Sequence, residues 1–196
     1  MIARILLIAI LLLPIKATAQ EIADNQQFKK LTARLGFLYV PVGLIKYSNF
    51  DRSAEIYDNL SYRVSAEYYL SDIFSIGPGF EYYAKHVDPY GSYTNENISM
   101  YSIYLDFRIN HGLTDSGGSY LVFGAGSGVS NLSEEKSESG AGFSLYGIVG
   151  LDIVLHKSLG LDLLYRYQTS RISIEEKEFQ FERSAIQAGL NYRFKF

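Results

Sequence analysis

The last twelve residues of the chain, 185–196, constrain its fold more strongly than any other stretch. Apolar side chains alternate there with polar or small ones, and successive side chains of a β-strand point to opposite faces. The stretch therefore predicts a strand with one apolar face and one polar, cationic face. A soluble sandwich strand can alternate in the same way, but it rarely ends a protein on an aromatic residue. The apolar positions are Ile186, Ala188, Leu190, Tyr192, Phe194 and Phe196, and the positions between them are Gln187, Gly189, Asn191, Arg193 and Lys195.

Seven earlier segments alternate in the same way, and the connections between them are alternately long and short. Bacterial transmembrane barrels have an even number of strands, short periplasmic turns and long external loops. The pattern therefore predicts an all-β fold, an eight-stranded antiparallel up-and-down transmembrane β-barrel with a periplasmic N-terminus. In the fifth strand, Leu121, Phe123 and Ala125 are expected to face lipid and the glycines to face the lumen. The predicted strands cover residues 31–40, 60–70, 74–85, 98–109, 119–129, 142–155, 159–168 and 185–196. A bulge or local kink is expected at Pro78, which lacks a backbone donor.

Aromatic residues on the apolar phase sort by height along these strands, as expected for the two interfacial girdles of a membrane barrel. The competing interpretation is a soluble lipocalin-like barrel, which buries its apolar phase and exposes its polar phase. We favour the membrane barrel because the polar phase carries less charge than a soluble surface normally does. The residues near the long connections are Tyr39, Tyr62, Tyr82, Tyr101 and Tyr167, and those near the short connections are Tyr68, Phe74, Phe107, Phe194 and Phe196.

The N-terminal nineteen residues have the three parts of a secretory signal peptide. Arg4 supplies a positive charge, residues 5–15 are apolar but too short to span a bilayer comfortably, and 17–19 read Ala-Thr-Ala, a small-residue cleavage site. These features predict a mature chain that begins at Gln20, so that residues 1–19 are the signal and 20–196 the barrel domain. An uncleaved N-terminal anchor is the alternative.

The composition suits a single exported domain. The chain has 196 residues, 17 Tyr, 12 Phe and no Cys. Tyr and Phe favour strands, and Tyr suits a membrane interface because one end is apolar and the other is wet. The absence of Cys excludes a lipoprotein anchor, and the absence of a basic run makes nucleic acid an improbable partner.

The whole mature chain resembles the small eight-stranded outer-membrane barrels, the group of OmpX and the OmpA transmembrane domain. The resemblance rests on the signal at 17–19, on the strand alternation and on the ending Tyr192-Arg-Phe-Lys-Phe196. It implies the outer membrane of a Gram-negative-type bacterium, with lipid and lipopolysaccharide as surroundings. We expect no cofactor and a monomeric chain. It also implies that the barrel-assembly machinery reads Tyr192, Phe194 and Phe196 as the insertion signal.

The polar phase of the strands collects ionisable residues that would face the lumen. Buried charges must pair or form hydrogen bonds, because unpaired burial is costly. Two interpretations remain: a structural polar plug, or a selective path for ions or solutes. The plug is favoured because eight strands leave room only for side chains. The set comprises Arg34, Arg63, Glu67, Glu81, Lys85, Asp106, Arg108, Asp152, Asp162, Arg166, Arg193 and Lys195.

No catalytic or metal-binding constellation stands out. His111 and His156 fall in predicted turns and His86 near the external rim, where outer-membrane acyltransferases and lipid A deacylases use histidine. Deacylases of this size carry His-x-Ser on a late strand; the late-strand stretch 167–170 contains no His, and the His-x-Ser at residues 156–158 falls in a predicted tight turn. A nucleophilic Ser needs a base within hydrogen-bond reach, so an enzyme is not expected. The acidic residues Asp88, Glu134, Glu135 and Glu138 match no metal-coordination spacing.

Residues 171–182 predict a β-hairpin near the external end. Folding about its middle places Ile174 opposite Phe179, Ile172 opposite Phe181 and Arg171 opposite Glu182. These apolar positions are out of phase with the lipid-facing sets of strands seven and eight, so a bulge or a change of direction is expected. The four apolar residues either pack on the rim or form a protruding ribbon whose edge adds a strand from a partner.

The functional hypothesis is an outer-membrane barrel with a structural or adhesion-type role through its external loops, which a surface protein could contact. The alternatives are a narrow porin-like channel and, less favoured, a lipid A-modifying enzyme.

Overall fold

The computed structural model describes residues 31–47, 52–87, 96–113, 118–134, 139–174 and 177–194. These residues form a closed barrel in which each strand pairs antiparallel with its sequence neighbours and the last strand pairs with the first. The predicted eight-stranded up-and-down barrel is confirmed. The strands are β1 (Leu31–Tyr47), β2 (Arg52–Tyr69), β3 (Phe74–Val87), β4 (Glu96–Gly112), β5 (Ser119–Glu134), β6 (Ser139–His156), β7 (Leu159–Ile174) and β8 (Lys177–Phe194).

Alternation decides which side chains fill the barrel. In β1, Arg34 is buried inside while its neighbours Leu35 and Phe37 are about half exposed outside, at 47% and 48%. In β5, Phe123 and Ala125 face outward as predicted, whereas Val122 and Gly126 face inward. Among the described residues, no helix is long and apolar enough to cross a membrane.

The two ends of the barrel differ. We call the end that carries the connections 70–73, 113–118 and 157–158 the turn end, and the opposite end the loop end. At the turn end, the Leu70 amide donates to the Phe74 carbonyl at 2.9 Å, which closes the predicted turn at Ser71 and Asp72. Predicted girdle aromatics are about half exposed at both ends, with Tyr62 at 52% near the loop end and Tyr68 at 46% near the turn end. Phe74, Phe107 and Phe194 are less exposed.

The strands extend far beyond their predicted limits at the loop end. β7 continues from the predicted Gln168 to Ile174, and β8 begins at Lys177 rather than Ala185. Three of the four predicted long loops are therefore largely strand, which corrects the sequence-based boundaries; most of the fourth, residues 88–95, lies outside the described residues. Strands of 14 to 18 residues exceed the roughly 9 to 11 that a tilted strand needs to cross a bilayer.

The backbone irregularities are not where the sequence predicted them. The register of β1 against β8 shifts between Tyr39 and Val42, next to Pro41. At Pro78 there is no shift: β2 and β3 keep one register on either side of it and only lack the pairs between Tyr68 and Ser65. Because Pro has no N–H to donate, the ladder is interrupted on one side without the bulge that was expected.

The hairpin of β7 and β8 exists, but its predicted register is wrong by two residues. Ile172 pairs with Phe179 and Ile174 with Lys177, so only residues 175–176 connect the strands. The predicted bulge is also absent, because pairing runs without a shift from Leu159 to Ile174. The backbone therefore keeps its facing along both strands. The apolar residues near the loop end lie on the face that carries polar residues lower in the strands.

Candidate functional site

The lumen is the candidate site, and it is built in layers along the barrel axis. Its layer nearest the turn end is a network of three arginines and three carboxylates. Arg34 Nη1 donates to both carboxylate oxygens of Asp162, at 2.8 and 2.7 Å, and its Nε lies 3.1 Å from Glu67. Arg108 Nε lies 2.8 Å from the other Glu67 oxygen. The residues of this turn-end network are Arg34, Glu67, Arg108, Asp152, Asp162 and Arg193.

The remaining pair of the turn-end network joins β8 to β6. Arg193 Nη2 lies 2.5 Å from Asp152 Oδ1, and Asn191 Nδ2 donates to the same oxygen at 3.2 Å. Ser75 donates a further hydrogen bond of 3.1 Å to Glu67. With three cations and three anions, this layer is electrically balanced, as burial in a low-dielectric interior requires.

The middle layer of the lumen is centred on Glu81, which is 1% exposed. Its carboxylate contacts three guanidinium groups: Arg183, Arg166 at 2.8 Å and Arg63 at 3.7 Å. Arg63 also forms an ion pair with Asp106. We call Arg63, Glu81, Asp106, Arg166 and Arg183 the mid-lumen network.

Aromatic rings cover the flat faces of these guanidinium groups. The Tyr104 and Tyr146 rings meet edge to face with their centroids 5.0 Å apart. The guanidinium carbon of Arg166 lies 3.8 Å from the Tyr146 centroid, and that of Arg63 lies 4.9 Å from it. Such cation–π contacts stabilise a guanidinium group while leaving its in-plane N–H groups to find other partners.

A row of four serines lies on the loop side of the mid-lumen network. Hydroxyl oxygens are 2.5 Å apart from Ser102 to Ser130, 2.5 Å from Ser130 to Ser144, and 2.6 Å from Ser144 to Ser170. Gln168 links the row to the network, because its amide nitrogen Nε2 donates to Ser170 while its Oε1 accepts from Arg183 at 2.6 Å. Every hydroxyl in this row has a hydrogen-bond partner on a neighbouring strand.

The lumen turns apolar beyond the serine row. Eight side chains from β3, β4, β5, β7 and β8 pack into one buried cluster, which we call the apolar cap. The Tyr83 and Phe181 rings meet edge to face with centroids 5.6 Å apart. No member is more than 5% exposed; the members are Tyr83, Ile98, Met100, Leu132, Ile172, Ile174, Phe179 and Phe181.

The outward face inverts at the same height. On β7, Tyr165 and Tyr167 are exposed apolar residues, but the next outward positions are Thr169, Arg171 and Ser173. On β8, the outward residues loopward of Ile186 are all polar. The loop end of the barrel therefore has an apolar inside and a polar outside, as in a water-soluble barrel. These β8 residues are Ser184, Glu182, Gln180 and Glu178.

Most of the predicted lumen residues meet in these two networks. Of the predicted set, the side chain of Lys85 and the whole of Lys195 lie outside the described residues. Sequence analysis missed Arg183, which it assigned to a loop, although Arg183, Gln187 and Asn191 lie on one phase and extending that phase would have found it. It also missed Tyr104, Tyr146 and Gln168 as polar partners, because single residues of these types carry no distinctive spacing.

The predicted partner-binding residues Ile172, Ile174, Phe179 and Phe181 are buried in the apolar cap rather than presented on a protruding ribbon. Both sides of their hairpin are also paired, by β6 up to Ser173 and by β1 up to Phe179. A partner-binding role of this hairpin stays a prediction, and among the described residues it has no free edge on which to rest.

The remaining predicted residues lie at the ends of strands. His111 and His156 are exposed at the turn end, and the side chain of His86 lies outside the described part of the chain. Within the predicted assembly signal, the Tyr192 and Phe194 rings pack edge to face at 5.0 Å. Phe196 is outside the described residues.

An apolar outer belt around a closed, polar-filled barrel of eight strands is the architecture of a transmembrane β-barrel. Residues 5–194 match the family model described as the outer membrane protein beta-barrel domain. The chain belongs to this family and is an outer-membrane β-barrel protein. In barrels of this class the short turns are periplasmic and the longer segments external, so we expect the loop end, where the strands continue past the apolar belt, to be the extracellular one.

Two solved structures show how far the fold is shared. Neisserial surface protein A (NspA) is 15% identical, with a TM-score of 0.63 over 84% of this chain and 97% of its own. OprG from Pseudomonas aeruginosa is 14% identical, with a TM-score of 0.61 over 86% of this chain and 97% of its own. At such identities the likeness concerns the fold alone. No curated protein sequence matches this chain significantly.

Proposed function

We propose that this protein is a non-conducting outer-membrane barrel whose work is done at its extracellular end, through contacts with other surfaces or proteins. The observation that carries the proposal is the filled lumen. The turn-end network, the mid-lumen network and the apolar cap close the barrel at three successive heights with side chains that are almost fully buried. A solute would have to displace ion pairs below and an apolar core above.

The strand extensions support the second half of the proposal. β7 and β8 continue beyond the outward tyrosines Tyr165 and Tyr167 as a wall of paired strands whose outer side is polar. A wall of paired strands offers a rigid surface, and rigid surfaces lose little conformational entropy on binding. Arg171 and Glu178 are exposed on that wall and are suited to contact a charged partner.

Planar-bilayer recording tests the closed lumen. The native protein should give no stable conductance, because a continuous water path would have to break the charge pairs and the apolar cap. A variant that combines Phe181→Ala with Ile172→Ala thins the cap but leaves the networks in place, so it should stay silent as well. Reproducible open channels in the native protein would favour the narrow porin instead.

Cell-surface binding tests the extracellular wall. Bacteria that display the native chain should self-aggregate, or bind immobilised glycans or proteins, more strongly than cells without it. Reversing Arg171 and Glu178 together (R171E with E178R) should reduce that binding while the barrel stays folded, because both side chains point away from the lumen. The matched control is Tyr165→Phe on the membrane-facing part of β7. Equal binding with and without the native chain would refute a surface role.

A further inference from the structure

The mid-lumen network holds more positive than negative charge. Among the described residues it contains three arginines, Arg63, Arg166 and Arg183, but only two carboxylates, Glu81 and Asp106. The turn-end network is balanced, so it supplies no spare anion. Each of the five residues is at most 3% exposed, and burying an uncompensated charge is strongly unfavourable.

The surplus can be traced to one residue. Arg183 uses all three of its guanidinium nitrogens, on Glu81, Gln168 and Ser61. Arg63 forms an ion pair with Asp106, and its Nη2 donates a hydrogen bond of 2.8 Å to the Tyr146 hydroxyl.

Arg166 is bound through Nη2 alone, to Glu81 and to Gln168. Its Nε and Nη1 are buried and have no hydrogen-bond partner among the described residues. Among the buried guanidinium nitrogens of the described residues, these two are the ones with neither a hydrogen bond nor an ion pair. The ring of Tyr146 covers the face of this guanidinium group but accepts neither N–H.

We propose that the barrel binds one small inorganic anion of halide size, such as chloride, inside the lumen beside Nε and Nη1 of Arg166. A monovalent anion there neutralises the surplus charge of the mid-lumen network and accepts the two free N–H groups. This inference does not depend on the surface role proposed above.

The mid-lumen network is tightly packed. A methyl group added at Gly126 would collide with the Tyr146 ring, and one added at Gly79 would collide with Asp106. In such packing we expect a single small ion to be accommodated more readily than a polyatomic organic anion. The apolar cap lies between the site and the extracellular end, so we expect the anion to be trapped during folding and to exchange slowly.

Bromide is the probe, because it replaces chloride and scatters anomalously at its absorption edge. Protein refolded and crystallised in sodium bromide should show an anomalous peak within hydrogen-bond distance of Arg166 Nε and Nη1. The absence of that peak, or a water molecule in its place, would overturn the proposal.

A charge-replacement variant tests the same idea in solution. Gln168 Oε1 already accepts from Arg166 and Arg183, so Gln168→Glu places a carboxylate within the network without adding an atom. Tyr104 and Ser170, which now accept from Gln168, are hydroxyls and can donate to the new carboxylate.

The readout is the urea midpoint of unfolding for protein refolded in sodium chloride or in sodium gluconate at equal ionic strength. The native midpoint should be higher in chloride and should rise with the logarithm of its concentration. Gln168→Glu should remove this dependence and unfold at the same midpoint in both salts. Gln180→Glu, which adds the same charge outside the lumen, should keep the native dependence. A native midpoint that is equal in both salts, or a chloride dependence that survives Gln168→Glu, would refute the anion site.

Discussion

At the scale of single residues, the interior depends most on Glu81. One carboxylate on β3 contacts arginines from β2, β7 and β8, and thereby ties together strands that are distant in sequence. A buried ion pair of this kind is poor evidence for net stabilisation over an apolar core. Its removal, however, leaves uncompensated charges where no bulk water can reach them.

Replacement of Glu81 by Gln should therefore lower the free energy of unfolding by about 3–5 kcal/mol. The measurement is urea unfolding of the refolded chain in detergent, followed by far-UV circular dichroism because the chain has no Trp. Glu182→Gln is the matched control. Glu182 pairs with Lys46 at 3.4 Å on the outer face, where exposed pairs contribute only about 0–1 kcal/mol. Equal losses in the two variants would contradict this account of the lumen.

A second residue-level prediction concerns Phe196. The resemblance to outer-membrane barrels makes this terminal aromatic part of an insertion signal rather than only a packing element. Deleting it should reduce the membrane-inserted fraction and increase aggregation in the periplasm, as measured by cell fractionation. The control is Phe143→Ala, which removes an outward aromatic side chain within a strand and should affect insertion less. Unchanged insertion after the deletion would show that Phe196 carries no signal.

At the scale of elements, β7 shows most clearly how one strand serves two solvents. From Leu159 to Tyr167 its outward side chains are apolar, whereas its inward ones include the charged Asp162 and Arg166. From Arg171 to Ile174 the assignment is reversed, with no register shift in between. Since the strand direction is unchanged, the reversal marks the height at which the surroundings change from lipid to water.

Single cysteines on β7 should locate this boundary, and the absence of native Cys makes the labelling unambiguous. A spin label at Tyr165→Cys should be accessible to oxygen dissolved in lipid, whereas one at Arg171→Cys should be accessible to a water-soluble nickel chelate. Both positions point outward and are exposed, so the difference reports height alone. Similar accessibility at the two sites would place the boundary elsewhere.

At the scale of the whole molecule, one set of strands forms two parts of the barrel that differ in their interior and their surface. The lower part is a membrane barrel with a charge-filled lumen, and the upper part has the apolar core and polar surface of a soluble barrel. The apolar cap gives the extracellular part a core of its own. This arrangement explains how strands of up to 18 residues remain ordered beyond the bilayer.

The export route is a further prediction at this scale. The signal-like residues 1–19 lie outside the described part of the chain. Protein recovered from purified outer membranes should begin at Gln20 on N-terminal sequencing, because Ala17-Thr18-Ala19 is a small-residue cleavage site. A sequence that begins at Met1 would support the uncleaved anchor instead.

The sequence by itself was sufficient for the number of strands and for the facing of their membrane part. Facing is a local property, since side chains alternate with period two, and the positions of Leu35, Phe123 and Arg166 follow from it. The same rule could not recognise the strand extensions, because the apolar phase changes sides where lipid gives way to water. The sequence analysis predicted a bulge near Ile172 because it attributed the switch of the apolar phase to a backbone irregularity, but the pairing of β7 with β8 has no register shift.

Only the tertiary structure decided which charges meet. Arg183 lies 102 residues from Glu81 and Arg34 lies 128 residues from Asp162 along the chain. Such partners depend on the stagger of eight strands around the closed barrel, which the register of each pair sets and which no local pattern encodes. The same closure brings three arginines to two carboxylates, and it covers the hairpin edge that the sequence left open. Alternation therefore determined what points inward, and closure of the barrel determined what each inward residue touches.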